Sequence, residues 1–496
     1  MPKDGTTTTK GGSLDFDATV IDAGPGVTWS VIGGTAYGTI DADGVYTAPN
    51  TVPDDSPIIR ATSTDDPRGT ITQSIRVVVG TQLEPQANAA LPVGASGASA
   101  GTLSGGQRST ALYGSTVYYV WSENLSGLER VYLSVSRDRG QTFSPPSQLS
   151  PTTTTHPHRY PSVAVDAAGR AVVVWVGSPD GVQWEVYARG VGLNASGSVV
   201  LGPSQFVALM GAVGDPLVAL AVAPQGTACF AWVAQGASDT AIFLALGELT
   251  DSGTFTISSP VQASGPTALH PIRPAVAVND RGSIVVAWSD TRDDPSEGSN
   301  DVWWRRARMS GGAIELVASE TRVNAVVAGP QALASVAVGS SGMAVVAWSD
   351  GRTATLRRHV YFASSSAEGL GVTDNVLVID DAGLGSEQNF PSVALGADGE
   401  VTVAFADNRK CIEISGSPST CPIADDGTGQ TDIYVARRLA GQTTFSQNVR
   451  VNDDSMLLGV QQHGRPSVAV DDVGRAMVLW TDDREGSSKP FTARVE

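Results

Sequence analysis

Imidazole and guanidinium side chains recur at one place in a repeated pattern, and they are the first candidates for chemistry in this sequence. Four of the five histidines, each with an arginine nearby, stand just before runs of small and β-branched residues, in "HPHRYPS", "HPIRPA" and "QQHGRPS". Such groups bind acidic ligands, and clustered histidines hold metals or act as bases. The candidate ligand-binding residues are His156, His158, Arg159, His270, Arg273, His463 and Arg465.

These histidines do not by themselves identify a metal. No pattern of histidines and carboxylates has the spacing of a known metal site, so the metal stays unassigned. The structural alternative is that the same residues hydrogen-bond loop carbonyls and cap the ends of strands. The sequence requires no cofactor, and it leaves open a bound calcium ion.

A second repeated pattern couples a carboxylate to an arginine two residues later, as in "SIVVAWSDTR" and "MAVVAWSDGR". We interpret the pairs mainly as structural, because a bidentate arginine–carboxylate contact locks a loop or fastens neighbouring repeats. Arg292 pairs with Asp290 or with Asp301 in this interpretation. The alternative is a half-ring of charges that binds a polar ligand such as a sugar acid. The pairs are Asp290 with Arg292, Asp350 with Arg352, Asp407 with Arg409, and Asp482 with Arg484.

The elements that must position these side chains are β-strands in a long repeat. An aromatic residue ends a β-branched run in each copy, and a Gly turn and another strand precede it, as in "YPSVAVDAAGRAVVVW" and "RPAVAVNDRGSIVVAW". Four strands at a period of roughly 40–60 residues are typical of propeller blades. Seven copies over residues 109–496 predict an all-β chain with a seven-bladed propeller. The aromatic residues are Trp121, Trp175, Trp232, Trp288, Trp348, Phe405 and Trp480.

The last copy contains only three strands before Glu496. A propeller needs a fourth strand there, because an open ring exposes a strand edge. We expect the segment 81–108, near Asn88–Val93, to act as a linker and to supply that strand. The Asp–Arg loops and the segments before the first strands should then share the face at the channel mouth.

Cysteines and net charge constrain the environment and the partners. Cys411 and Cys421 lie in one polar insert, "KCIEISGSPSTC", and are expected to form a disulfide, which favours an oxidising compartment. Cys229 lies in an apolar run and is expected to be buried. The net charge of −18 argues against nucleic acid and direct membrane insertion. We expect an extracellular or bacterial cell-surface protein; the start "MPKDGTTTTKGG" is interpreted as following removal of any export signal.

Residues 1–80 contain short alternating strands with a tryptophan, and "VTWSVIGGTAYGTIDADGVYTAP" resembles the bacterial Ig-like (group 2 type) modules of secreted and surface proteins. The resemblance implies a β-sandwich that acts as a spacer.

The stretch "SVSRDRGQTF" matches the Asp-box pattern through Ser136, Asp138, Gly140, Thr142 and Phe143. The chain from 109 to 496 therefore resembles the Asp-box (BNR-repeat) sialidase-like propellers. Sialidases of this superfamily bind a carboxylate through three arginines and use a tyrosine nucleophile with a glutamate. "RYP" at Arg159 resembles the first arginine of that set, but no Tyr–Glu pair follows from the sequence, and those sialidases have six blades.

Three functions remain open at this point. The first is a non-catalytic propeller that binds a glycan or a protein partner and is displayed on an Ig-like spacer. The second is a glycan-active enzyme, either a sialidase-like glycoside hydrolase or a polysaccharide lyase acting on acidic glycans. The third is a structural subunit of a surface assembly or appendage. The fold itself does not choose between them.

Overall fold

The computed structural model describes most of the chain and divides it into two compact units, 1–84 with residue 496, and 85–495. The described residues are 6–9, 13–16, 18, 26–49, 57–64, 72–80, 83, 85–93, 99–102, 106–125, 127–236, 239–250, 253–293, 299–352, 357–369, 371–373, 375–380, 385–415, 421, 423, 429–454, 463–471 and 474–495.

The second unit is a seven-bladed β-propeller, as the repeat predicted: seven antiparallel sheets follow one another, each with a path of four strands. The strands of blade 1 are Thr110–Tyr113, Thr116–Leu125, Leu128–Ser136 and Ser147–Gln148, and those of blade 2 are His158–Val165, Ala171–Gly177, Trp184–Leu193 and Val199–Leu201, with Gln205–Gly211 as an extra strand. The strands of blade 3 are Val218–Val222, Thr227–Gln235, Thr240–Leu249 and Phe255–Ile257, with Val261–Gln262 as an extra strand. The strands of blade 4 are Ile272–Val278, Ser283–Asp290, Asp301–Ser310 and Ala313–Leu316, with Thr321–Arg322 as an extra strand. The strands of blade 5 are Gln331–Val338, Ala344–Asp350, His359–Ser364 and Val376–Leu377, and those of blade 6 are Gln388–Leu395, Val401–Asp407, Asp432–Arg438 and Val449–Arg450. The strands of blade 7 are His463–Val470, Ala476–Asp482, Lys489–Val495 and Ala89–Ala90.

The repeated aromatic residue lies on the second strand of every blade and is at most 2 % exposed. In six blades its ring stacks on a tyrosine or phenylalanine of the third strand, as Trp348 does on Tyr361 with ring centroids 6.1 Å apart. The second strands are buried on both faces between neighbouring blades, which explains their continuous apolar runs.

Blade 7 takes its fourth strand from the chain that precedes blade 1. Ala89 and Ala90 pair with Thr492 and Phe491, and the Leu91 amide donates to Pro490 O at 2.9 Å. The two ends of the propeller chain therefore meet in one sheet, which removes an exposed strand edge.

The chain next crosses one end of the central channel. Ser99–Gly101 pairs with the second strand of blade 1, and Thr102 Oγ1 donates to Arg465 O of blade 7 at 3.0 Å. Farther on, the Arg108 amide donates to Ser162 Oγ of blade 2, and its guanidinium reaches Val336 O of blade 5 at 2.5 Å. Residues 106–109 thus lie inside the channel, beside a cavity of about 240 Å³ lined mainly by aliphatic side chains.

Unit 1 contains two sheets in its described part. The strands are Thr6–Thr9, Thr72–Gly80, Ile58–Ser63 and Val27–Ile32 in one sheet, and Ser13–Asp15, Val45–Thr47 and Thr39–Ile40 in the other, with a 3₁₀ turn at Thr35–Tyr37. The bacterial Ig-like module expected for 1–80, and the domain boundaries, stay predictions. Within the described residues, the α-helix Arg409–Ser415 is far too short to cross a bilayer, and no longer apolar helix is found.

Candidate functional site

One end of the propeller carries nearly all the side chains that the sequence singled out. In blades 2, 5 and 7 the first residue of the first strand pairs with the last residue of the second: His158 with Gly177, Gln331 with Asp350, and His463 with Asp482. Both positions therefore lie at the same end of the blade, which we call the mouth face.

Three of the candidate arginines lie within the first strands and not before them. Arg159, Arg273 and Arg465 belong to His158–Val165, Ile272–Val278 and His463–Val470, where the pairing register shifts at a β-bulge. The proline that follows each of these positions is compatible with a strand here, because a bulge accepts a proline.

The bulge places one non-glycine residue per blade in the left-handed region of backbone conformation. The φ angle lies between 52° and 59° in five blades. Such a conformation is uncommon outside glycine, and its repetition makes it a rule of blade construction. The residues are Tyr160, Arg273, Leu333, Phe390 and Arg465.

The bulge of blade 2 carries a group of polar and aromatic side chains at the mouth face. The Arg159 guanidinium carbon lies 4.7 Å from the centroid of the Tyr160 ring and 4.4 Å from that of Trp184. Its Nη1 lies 3.3 Å from Glu129 Oε2, and both side chains are about a quarter exposed, at 27 % and 24 %. This arrangement offers solvent a partly exposed guanidinium held between two rings, which we call the Arg159 cluster (Glu129, Arg159, Tyr160 and Trp184).

A second arginine–carboxylate pair lies within electrostatic reach of the cluster. Arg273 Nε is 3.1 Å from Asp215 Oδ2, with side chains 28 % and 34 % exposed. Burial raises the pKa of Tyr160; Arg159 and Arg465 lower it, while Glu129 and Asp215 raise it, and the net shift is upward. The Tyr160 phenol therefore stays protonated near neutral pH and can donate a hydrogen bond.

The four candidate histidines do not form one cluster. His156 and His158 are neighbours, with ring centroids 4.6 Å apart, but His158 is buried and accepts a hydrogen bond from Trp175 Nε1 at 3.1 Å. Burial lowers the pKa of His158 to about 4, so this ring is neutral. His270 is 72 % exposed and pairs with Asp239 at 3.0 Å.

His463 is fully buried and lies between two carboxylates. Its Nε2 is 3.1 Å from Asp454 Oδ2 and 3.3 Å from Asp482 Oδ2. Burial lowers the pKa of His463, but these carboxylates outweigh burial and raise it. Asp454, His463 and Asp482 are the one group of three metal-ligating side chains, among the described residues, whose ligand atoms all lie within 4.8 Å of one another.

The four Asp–Arg pairs have the same geometry in blades 4 to 7. Each aspartate is fully buried, each arginine is at most 15 % exposed, and the closest nitrogen–oxygen distance is 2.5 or 2.6 Å. Every guanidinium also stacks on an aromatic ring of the third strand, with its carbon 3.9 to 4.5 Å from the centroid. The second carboxylate at Arg292 is Glu320 and not Asp301.

Each of these arginines also reaches a residue near the fourth strand of its own blade. The acceptors are Glu320 for Arg292, Asn375 for Arg352, Asn448 for Arg409 and Asn88 for Arg484. Each acceptor in turn receives a backbone N–H from the preceding blade. The donors are Gly265, Ala325, Asp380 and Asp453 respectively. The arginine therefore connects its own loop to the boundary between two blades.

The Asp138 turn lies at the end opposite the mouth, because Ser136 pairs with Val117 at the start of the second strand. Burial raises the pKa of Asp138, but hydrogen bonds from Thr142, Ser136 and the Gln141 amide lower it to about 2. Phe143 packs against Tyr119 with centroids 5.8 Å apart, and Gly140 has a φ of 80°. The turn is held by its own hydrogen bonds, and membership of the Asp-box superfamily stays a prediction.

Sequence reasoning missed five residues at these sites. Tyr160 could have been found, because alignment of the repeats places it at the position of Arg273 and Arg465. The remaining four carry no local signal, since they come from other strands or loops. They are Glu129, Trp184, Asp215 and Asp454.

No protein-family model and no curated protein matches this chain. Solved structures are similar at low identity. A Dyadobacter fermentans protein of unknown function is 13 % identical with a TM-score of 0.49, and the match covers 84 % of this chain and 99 % of that one. The Hadza microbial sialidase Hz136 is 13 % identical with a TM-score of 0.39, and the match covers 73 % of each chain. A PL25 ulvan lyase is 10 % identical with a TM-score of 0.47, and the match covers 81 % of this chain and 95 % of that one. All three TM-scores are below 0.5, and no activity follows from these similarities.

Proposed function

We propose that this protein is an extracellular or cell-surface propeller that binds an acidic glycan on the mouth face without catalysis. The observation that carries the proposal is the Arg159 cluster, which is partly exposed at the mouth next to the Arg273–Asp215 pair. The Cys411–Cys421 disulfide, with Cα atoms 6.0 Å apart, fits an oxidising compartment.

The chemistry of the mouth suits a sugar that carries carboxylates. Aromatic rings pack against the apolar faces of sugars, and guanidinium groups bind carboxylates through paired hydrogen bonds. Two arginines, Arg159 and Arg465, and two carboxylates, Glu129 and Asp215, act on Tyr160, so these charges balance in a chain of net charge −18. An anionic ligand is therefore repelled less at the mouth than over the acidic parts of the surface.

Two features favour binding over turnover. The raised pKa of Tyr160 preserves a phenol donor, whereas a tyrosine nucleophile works as its phenolate or beside a base. Residues 106–109 occupy part of the channel, where Arg108 bonds blades 2 and 5, so that a ligand has more room on the mouth than inside the ring.

The proposal is tested by isothermal titration calorimetry with oligouronates and with neutral oligosaccharides of equal length, chosen after a glycan-array screen. Arg159→Ala should weaken oligouronate binding at least tenfold. Arg170→Ala is the matched control, because Arg170 pairs with Asp166 at 2.7 Å at the opposite end of the same blade. Equal losses in both variants, or no binding of oligouronates by the wild type, would refute the proposal.

A glycan-active enzyme is the second candidate, favoured by the two carboxylates, Glu129 and Asp215, that act on the Tyr160 phenol. Turnover of acidic polysaccharides would appear as new reducing ends or as unsaturated products. Tyr160→Phe removes only the hydroxyl. Loss of turnover in this variant, with oligouronate binding kept, would establish the enzyme and replace the binding proposal.

A further inference from the structure

The His463 ring has a defined tautomer. Its Nδ1 lies 2.7 Å from Thr431 O, and because a carbonyl only accepts, Nδ1 carries the proton and donates. The Nε2 atom faces Asp454 and Asp482, and without a proton of its own it points its lone pair at both of them. A lone pair facing two carboxylates is repelled by them unless a cation lies between.

Two of the three facing atoms lack hydrogen bonds of standard geometry, whereas Asp482 Oδ2 accepts from Trp480 Nε1 and from Arg484. His463 Nε2 and Asp454 Oδ2 are buried and unpartnered in this sense, although they approach to 3.1 Å. In a tetrahedral zinc site with bonds of ~2.0–2.1 Å, neighbouring ligand atoms are about 3.3 Å apart. The Nε2–oxygen distances of 3.1 and 3.3 Å match the edges of such a tetrahedron.

The surrounding charges leave room for a divalent cation. Each of the two nearby arginines is shared among aspartates: Arg450 Nε lies 3.0 Å from Asp432, and Arg484 lies 2.7 Å from Asp453 and 2.6 Å from Asp482. With Asp454, four carboxylates face two guanidinium groups around the imidazole, and an ion on Nε2 would take the place of the proton that these carboxylates favour there. The excess of two negative charges equals the charge of one such ion.

The boundary between blades 4 and 5 shows the same framework without the ligands. There Asn324 Nδ2 donates to Val326 O at 2.8 Å, as Asn452 Nδ2 donates to Asp454 Oδ1 at 2.9 Å. Gln331 occupies the place of His463, opposite Asp350, and its amide donates to Ala328 O and accepts from Asn324. Blade 6 also has a glutamine in this place, Gln388, which donates to Asp407 at 3.1 Å, so the histidine next to an extra aspartate distinguishes the boundary of blades 6 and 7 from these two.

We propose that Asp454, His463 and Asp482 bind one divalent transition-metal ion, of which Zn²⁺ best suits one imidazole and two carboxylates. The Nδ1–H bond to Thr431 O is the contact that typically orients a metal-binding histidine. Because the ring is fully buried, the ion is structural and fastens the end of blade 6 to the first strand of blade 7. The competing occupant of this space is a proton on Nε2.

The test is zinc titration of the chelator-treated full chain by calorimetry, with metal content measured by mass spectrometry. Wild type should bind one equivalent of Zn²⁺, and His463→Gln, which copies the residue of the neighbouring boundary, should bind it at least tenfold more weakly. His270→Gln is the matched control, since that exposed histidine pairs with Asp239 alone and its loss should not change zinc binding.

Cobalt gives a readout that does not depend on stability. Co²⁺ in the wild-type site should show the visible absorption bands of a four-coordinate ion, and Asp454→Asn, which keeps the size of the side chain, should weaken them. The proposal is overturned if the wild type binds no Zn²⁺, or binds it only as tightly as His463→Gln does. In either case the occupant is the proton on Nε2.

Discussion

Arg352→Ala tests whether the repeated Asp–Arg pair holds a blade together. In the folded protein Arg352 donates from Nε and Nη2 to Asp350, at 2.9 and 2.5 Å, and from Nη2 to Asn375 at 3.0 Å. Its guanidinium lies 3.9 Å from the Tyr361 ring centroid. Alanine removes all of these contacts and leaves a fully buried carboxylate without its counter-charge.

The size of the effect follows from burial. Removing one partner of a buried ion pair costs roughly 3–5 kcal/mol of unfolding free energy, whereas an exposed pair contributes less than about 1 kcal/mol. Asp350 is fully buried, Arg352 is 15 % exposed, and Asp350 keeps a hydrogen bond from Trp348 Nε1 at 2.8 Å. We therefore expect a loss near the lower end of the buried range, about 3 kcal/mol.

Urea unfolding followed by tryptophan fluorescence measures this loss. Arg352→Ala should lower the midpoint while the slope with urea stays the same, because the surface exposed on unfolding does not change. Arg308→Ala is the control, since Arg308 and Glu315 are 58 % and 49 % exposed in their pair. Equal midpoints for the two variants would refute the structural role, and loss of oligouronate binding by Arg352→Ala at full stability would make the pair part of a ligand site.

Three further predictions concern other parts of the chain. Thiol titration of the unfolded, unreduced protein should find one free thiol, that of Cys229, and three thiols would contradict the disulfide. Asn88→Ala should lower the unfolding midpoint, because Asn88 bonds Val451 O and the Asp453 amide across the closing sheet; an unchanged midpoint would contradict this role. Burial raises the pKa of Asp301 from 3.8 to about 6, so its contribution to stability is full below pH ~4 and is lost as the pH rises to about 6. Asp301→Asn should therefore raise the unfolding free energy at pH 7 by roughly 2–3 kcal/mol and change it little at pH 4; equal effects at both would refute the assignment.

The propeller could be predicted because its signal is repeated. The tryptophan of the second strand, the Gly turn before it and the β-branched run recur in copy after copy, and each copy reports the same burial between blades. The last copy has only three strands in sequence, and this predicted that an earlier segment supplies the fourth. Ala89 and Ala90 do pair with its outer strand. Repetition averages away the ambiguity that a single short strand would leave.

The sites were harder to predict because they are made of contacts between repeats. Glu129 meets Arg159 from the third strand of the preceding blade, and Asp454 meets His463 across a blade boundary. Neither contact has a fixed spacing in sequence. The bulge at Arg159 is likewise invisible to a pattern of alternating residues, because the extra residue shifts the strand by one position.

The distribution of regular and irregular blades favours the mouth of blades 1 to 3 as the functional side. Blades 4 to 7 carry the buried Asp–Arg pairs, and Trp288, Trp348 and Trp480 donate to the aspartate of their own pair. Blades 2 and 3 lack this bond from tryptophan to aspartate. Trp175 donates to His158 instead, and Trp232 Nε1 makes no hydrogen bond in the described part of the chain. These irregular blades also contain the Arg159 cluster and Asp215, whose charges stay partly exposed. A repeat protein that gives up its own construction rule in one sector, and exposes arginines and aromatic rings there, gives up local stability, and this is the sector in which we propose that the acidic glycan binds.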